Sequence, residues 1–163
     1  MQEAPLCDSI ALALLRPECS AILVLFDGDD DCPKELAPRI EEWAKAAAGQ
    51  VPCAVVVAQR EYAAWFIASI ESLRGERGIR DDAEPHPNPE TPRGAKGQLE
   101  MLMVPGAAYS PTADQAALTA KFDMAIAHAR CRSFRRMVRA FGLLTAGAGA
   151  PLDRWPPPGW VTE

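Results

Sequence analysis

Long apolar runs are missing from this sequence. No stretch reaches the ~18 residues a membrane span requires, and Met1-Gln2-Glu3 does not open a secretory leader. Both absences point to a protein that works away from membranes. Cysteine is present but without a framework: Cys7, Cys19, Cys32, Cys53 and Cys131 are odd in number, form no C-x-x-C pair and lack zinc-site spacing. They read as reduced thiols of a cytoplasmic protein, mostly small core residues. Histidine is scarce. His86 sits between prolines, His128 lies on a predicted helix, and neither has a second ligand four residues on. Ser110 and Ser133 lack a nucleophile-elbow context, and no internal repeat is visible.

Excess positive charge is also absent. The net charge of −5 excludes a generally basic coat for nucleic acid. The average hides an asymmetry: residues 1–42 hold ten acidic side chains against three basic, while residues 130–139 hold five arginines and no acid. An acidic centre beside a basic strip suits a protein that holds cations and phosphates. The alternative is that Arg130, Arg132, Arg135, Arg136 and Arg139 form a solvated helix face.

What is present is globular composition, 48% apolar and 24% charged over 163 residues, enough for one domain. Asp8 or Ser9 can cap a short helix through Leu15. Ala21 to Phe26 is a continuous apolar run, the pattern of a strand buried on both faces. Pro33 suits a first helical turn, and Glu35 to Ala48 reads as a helix with Leu36, Ile40, Trp43 and Ala47 on one stripe. Val51 to Ala58 is a second β-branched run. A helix follows from Glu61 to Leu73, in which Trp65 and Phe66 read as core. Residues 75–94 read as a long surface loop, and residues 95–103 as a short helix. Thr112-Ala113-Asp114-Gln115 has the form of a capping box, and Phe134, Met137, Val138 and Phe141 stripe the last helix. Residues 1–142 thus make an α/β domain with C-terminal helices, and residues 143–163 a Pro/Gly-rich, loosely ordered tail.

Two buried strands joined by one helix are best read as parallel with a right-handed crossover. Their C-terminal ends then share one edge of the sheet, where ligands of open α/β sheets bind. Asp27 follows the first strand and Glu61 the second. Adjacent strands lie about 4.8 Å apart, so these acids can share a metal site. Asp27-Gly28-Asp29-Asp30-Asp31 places four carboxylates in five positions. They repel one another unless a cation neutralises them, and Mg²⁺ or Mn²⁺ prefers such oxygen ligands. Gly28 lets the backbone turn so that Asp27 and Asp29 face one point. A solvated acidic turn ahead of a helix is the other reading.

The apolar strand ending in Asp27-Gly28-Asp29 resembles the D-x-D motif of Toprim domains, the metal-dependent phosphoryl-transfer modules of topoisomerases, primases and overcoming-lysogenisation-defect (OLD) nucleases. Phe26 through Pro33, Gln59 through Phe66 and Gly94-Ala95-Lys96-Gly97 together resemble an uncharacterised bacterial family related to the OLD nucleases, whose members are often encoded near AAA ATPases. The resemblance covers about residues 20–142. It implies a Toprim-like, Rossmannoid parallel sheet and a Mg²⁺- or Mn²⁺-dependent nuclease acting on DNA or RNA, with an ATPase partner in phage defence. Asp27, Asp29 and Asp31 would serve the metal, Glu61 would add or orient a ligand, and Lys96 would approach the scissile phosphate. From the residues alone, Glu61 is equally a first-turn acid paired with Arg60, and Lys96 a surface lysine. Toprim domains also carry a glutamate after an earlier strand. Here the residues before Ala21 read as helix and turn, and Glu3 and Glu18 follow no apolar strand. The chain is therefore expected to be N-terminally incomplete, lacking the first strand, with the missing acid supplied by an upstream segment or an upstream-encoded partner chain; a non-catalytic regulatory or interaction subunit is the second expectation.

Overall fold

The computed structural model describes residues 2–160. The order of elements is α1 (Glu3–Leu14), β1 (Ile22–Asp27), α2 (Pro33–Ala48), β2 (Cys53–Ala58), α3 (Ala63–Ala68), a 3-10 turn (Ile70–Leu73), α4 (Ala95–Met101), α5 (Pro111–Thr119), α6 (Met124–Arg130) and α7 (Arg132–Gly147). The chain is mixed α/β, with helices dominating its C-terminal half. Among the described residues no helix is long and apolar enough to cross a membrane.

β1 and β2 pair in parallel, Ile22 opposite Cys53 through Asp27 opposite Ala58. They form the whole sheet among the described residues, which is smaller than the resemblance implied. β1 is not buried on both faces. Only Ile22 is fully buried, and Leu25 is 36% exposed. The reason lies in the helices: α2 and α7 pack chiefly on β2, and α7 covers β1 less. The parallel register still brings both strand ends to one edge.

α2 begins at Pro33 as expected and ends at Gly49, whose φ of 62° is the left-handed stop. Leu36, Ile40, Ala44 and Ala48 are its buried residues, against α1 through Leu6 and Ile10. Trp43 and Ala47 fall at the margin of this stripe, with the Arg39 guanidinium 5.2 Å over the Trp43 ring. α1 itself starts at Glu3, not at Asp8 or Ser9. Ser9 is inside the helix, where its hydroxyl donates to the Pro5 carbonyl at 2.8 Å.

The segment expected as one helix over 61–73 is interrupted. α3 stops at Ser69, whose ψ of 29° is not helical and whose hydroxyl donates to the Trp65 carbonyl at 3.1 Å. Local side-chain hydrogen bonds have competed with the helix ladder. Trp65 and Phe66 are buried, and Trp65 meets Phe134 edge-on with ring centroids 5.0 Å apart. The long loop after them is not all surface: Ile79 and Ala83 are buried, and Ile79 bridges Met103. α5 is capped two residues earlier than expected, with the Asp114 carboxylate accepting from the Ser110 N–H at 2.9 Å.

α7 buries Phe134, Val138 and Leu144, while Phe141 is exposed and Met137 sits at the margin. It runs through Gly147 into the segment expected as tail. That segment is docked as far as Trp160. Trp155 Nε1 donates to the Val138 carbonyl at 2.7 Å, and the Trp160 ring lies 5.8 Å from that of His128. Residues 161–163 lie outside the described residues.

Candidate phosphate and metal site

The pairing of β1 with β2 continues past both strands into the acidic turn. Gly28 N–H donates to the Ala58 carbonyl at 3.0 Å, and Asp29 N–H to the Arg60 carbonyl at 2.8 Å. Asp29 and Arg60 hold left-handed backbones, at φ 46° and 64°. Such conformations cost about 1–3 kcal/mol each and persist where surrounding contacts over-determine them.

These bonds set the carboxylates. Asp27 Oδ1 accepts from the Tyr62 N–H at 2.7 Å. The residue as a whole is exposed, yet the protein around its carboxyl raises its pKa above the usual value. Desolvation is the largest cause and outweighs the Tyr62 amide, which lowers it; the charges of Glu61 and Asp29 raise it further. Asp27 therefore lies close enough to Asp29 and Glu61 to feel the charge of each. Glu61 also anchors a neighbouring helix. Its two oxygens accept from the Ala95 N–H at 2.9 Å and the Lys96 N–H at 3.2 Å, which caps α4. Asp30, beside them, is held by Arg60 at 2.6 Å and Arg93 at 3.0 Å.

Two clefts open from this edge. The smaller, of about 150 Å³, is lined by Asp29, Asp30, Arg60, Glu61, Arg93 and Gly94. The larger, of about 620 Å³, is lined on its charged walls by Lys34, Arg60, Arg132 and Arg136, with Asp30, Asp31 and Glu90. Asp31 thus lines the larger cleft, and Asp29 and Glu61 the smaller. Lys96 is exposed and lines neither cleft; only its backbone is tied to the site.

The five arginines are divided as well. Arg132 and Arg136 reach the larger cleft. Arg130 pairs with Glu71 at 2.7 Å and donates to the Ala68 carbonyl. Arg135 donates to the carbonyls of His128 and Ala129 at the end of α6. Arg139 faces a third cleft, with Trp155 and Leu152.

The residues present fit one hydrated divalent ion. Mg²⁺ commonly takes one or two carboxylates and completes its shell with water and phosphate oxygens. Asp27 Oδ2 and the Asp29 carboxylate make no hydrogen bond among the described residues. A larger cage is a different matter: among the described residues no group of three or more His, Cys, Asp or Glu side chains is arranged to hold a metal. The cation expected to relieve the crowded acids is supplied in part by Arg60 and Arg93.

Sequence reasoning passed over Lys34, Arg93 and Glu90, and it paired Arg60 with Glu61, whereas the Arg60 guanidinium lies on Asp30. Glu90 accepts from the Arg132 and Ser133 amides at 2.7 and 2.9 Å and from the Ser133 hydroxyl. That hydroxyl in turn accepts from Trp65 Nε1 at 2.8 Å. Only the position of Glu90 in the proline-rich loop hinted at a role.

Comparison with curated proteins and with solved structures gives no match. The model of one protein family does match, over residues 6–141. The chain therefore belongs to the family described as a domain of unknown function, DUF4276.

Proposed function

We propose that this chain is a Toprim-like module acting on nucleic-acid phosphodiesters with Mg²⁺ or Mn²⁺ held by Asp27 and Asp29. The observation that carries this reading is the meeting of Asp27, Asp29 and Glu61 at the C-terminal ends of two paired parallel strands, where desolvation raises the Asp27 pKa and the charges of Glu61 and Asp29 add to the rise. A bound ion would supply Lewis-acid polarisation of the phosphoryl group. The chain's own residues do the positioning. Tyr62 orients the Asp27 carboxyl through its amide. Glu61 holds the first turn of α4, and with it the base of Lys96, whose ammonium can then offset charge on a phosphate. Arg132 and Arg136 face a cleft at the same edge and can hold the flanking backbone. An AAA ATPase partner and a place in phage defence belong to this reading through the sequence resemblance.

Calorimetric titration with MgCl₂ or MnCl₂ tests it. The wild type should bind, and Asp27→Ala and Asp29→Ala should not; equal binding by all three would overturn the assignment. One observation favours the second reading, a non-catalytic regulatory or interaction subunit. Both Glu61 oxygens are already engaged by amides of α4, a structural use of the acid. Metal binding with no cleavage, even alongside a partner chain that supplies a further carboxylate, would select that subunit.

A further inference from the structure

We propose that the larger cleft is a phosphate-binding site of its own, separate from the Asp27–Asp29 centre. The charges on its walls divide into those already neutralised and those that are not. Arg60 is bonded to Asp30 and to the Asp29 carbonyl. Asp30 is shared with Arg93. Glu90 is held at the start of α7 by two amides and a hydroxyl, neutral donors that fix its position and leave its charge. Setting the Arg60–Asp30–Arg93 cluster aside leaves Lys34, Arg132 and Arg136, none of which has a carboxylate partner or side-chain hydrogen bond among the described residues, against Asp31 and Glu90.

Three unpaired cations around one concavity outnumber its two remaining carboxylates and repel each other, and an anion bound among them relieves that repulsion. Arg132 and Arg136 lie four residues apart on α7, so both project from one face. Their planar guanidinium groups can each grip two phosphate oxygens, while Lys34 on α2 acts as a point charge. The remaining wall is neutral. Val57 gives it an apolar floor, and Gln59 and Thr91 carry amide and hydroxyl groups able to bond a base or sugar. A volume of about 620 Å³ lies in the range of small-molecule sites, roughly 300–1,000 Å³, and admits a nucleotide. None of Asp27, Asp29 and Glu61 lines it, so this site stands whether or not those acids bind a metal.

The recognised group is the tetrahedral phosphate oxyanion, which a free nucleotide or a nucleic-acid strand can present. Calorimetric titrations at low salt, in EDTA to exclude any metal contribution, separate these sources. The probes are ADP, inorganic phosphate and an unphosphorylated ten-nucleotide single strand. The wild type should bind at least one probe, and Arg132→Gln/Arg136→Gln should bind it at least tenfold more weakly. Lys34→Gln should also weaken it, and Arg154→Gln, outside the cleft, should match the wild type. Binding of ADP or phosphate without the strand assigns a free nucleotide; binding of the strand alone assigns the nucleic-acid backbone. Both variant positions on α7 are exposed, and unchanged circular dichroism will show that the fold survives; Lys34→Gln carries the test if it does not. No binding of any probe, or binding undiminished by the cleft variants, overturns the proposal.

Discussion

Asp29 and Arg60 hold each other's backbones. The Asp29 N–H donates to the Arg60 carbonyl at 2.8 Å, and the Arg60 guanidinium returns to the Asp29 carbonyl at 3.2 Å. Both residues are left-handed, and Arg60 Nε is buried without an acceptor. An unsatisfied buried donor costs about 1–3 kcal/mol. Strain of two kinds is thus concentrated where the turn after β1 meets the turn after β2, between the two clefts.

This predicts an unusual order of stabilities. Arg60→Ala removes the guanidinium bonds and keeps the left-handed strain. Arg60→Gly removes the same bonds and the strain as well. Urea unfolding should therefore find the glycine variant about 0.5–1 kcal/mol more stable than the alanine variant. The reverse order would mean that Arg60 is not left-handed in solution.

Asp27 predicts a pH dependence. Its folded pKa is raised above the usual 3.8, so the folded state binds the proton more readily than the unfolded one. Stability then falls as pH rises from 3.8 through the folded pKa, and the penalty is complete above it. Asn keeps an acceptor for the Tyr62 amide without the charge. Without added metal, Asp27→Asn should be more stable than the wild type at neutral pH, and the gap should close as the pH approaches 3.8. Thermal unfolding across pH checks this; a gap that widens on acidification would refute the assigned burial.

Much of the strand-end geometry was legible in the sequence. Ala21 to Phe26 and Val51 to Ala58 are apolar runs too short for helices and separated by one amphipathic segment, so a parallel pair with acids at one edge follows. The burial of β1 was not legible, because an apolar run cannot say whether helices will cover it. Nor was the partition of the arginines. Residues 130–139 look uniform, but Cys131 breaks the chain between α6 and α7, turning Arg130 and Arg135 toward carbonyls. Glu90 was invisible because its partners lie more than 40 residues on, in contacts that no local pattern records.

Glu90 gives the third prediction. It is the only side chain bonded to the first amides of α7 among the described residues, and it is joined to buried Trp65 through Ser133. Removing a helix cap costs about 0.5–2 kcal/mol. Glu90→Ala should reach the upper part of that range, since it also unpairs the Ser133 hydroxyl, and Glu90→Gln should cost less. Chemical denaturation will measure both, and a neutral Glu90→Ala would show that α7 does not depend on this cap.

The arginines should separate by phenotype. Arg130→Gln leaves Glu71 without its cation and Arg135→Gln uncaps the end of α6, so these should lower the melting temperature. Arg132→Gln and Arg136→Gln should leave the melting temperature nearly unchanged and weaken nucleic-acid binding. For each phosphate that a variant no longer neutralises, the slope of log affinity against log salt should fall by about 0.7 for a single strand. If all four variants changed the salt dependence alike, the strip would act as one surface despite its structural division.

The last prediction concerns the number of ions. Two-metal phosphodiester hydrolysis holds its ions about 3.5–4 Å apart and needs carboxylates to fix both. Asp27 and Asp29 have oxygens to spare, but Glu61 is committed to the Ala95 and Lys96 amides and Asp30 to two arginines. Asp31 lines the other cleft. Calorimetry should therefore find one Mn²⁺ per chain, and these residues alone should cleave DNA or RNA slowly or not at all. Supplying a further carboxylate on a partner chain or an added segment should raise the stoichiometry to two and bring cleavage with it. That cleavage should vanish in Asp29→Ala and fall strongly in Lys96→Ala. Two ions bound by this chain alone, with robust cleavage, would mean that Glu61 leaves α4 to become a ligand, and α4 should then show faster amide exchange when metal is bound.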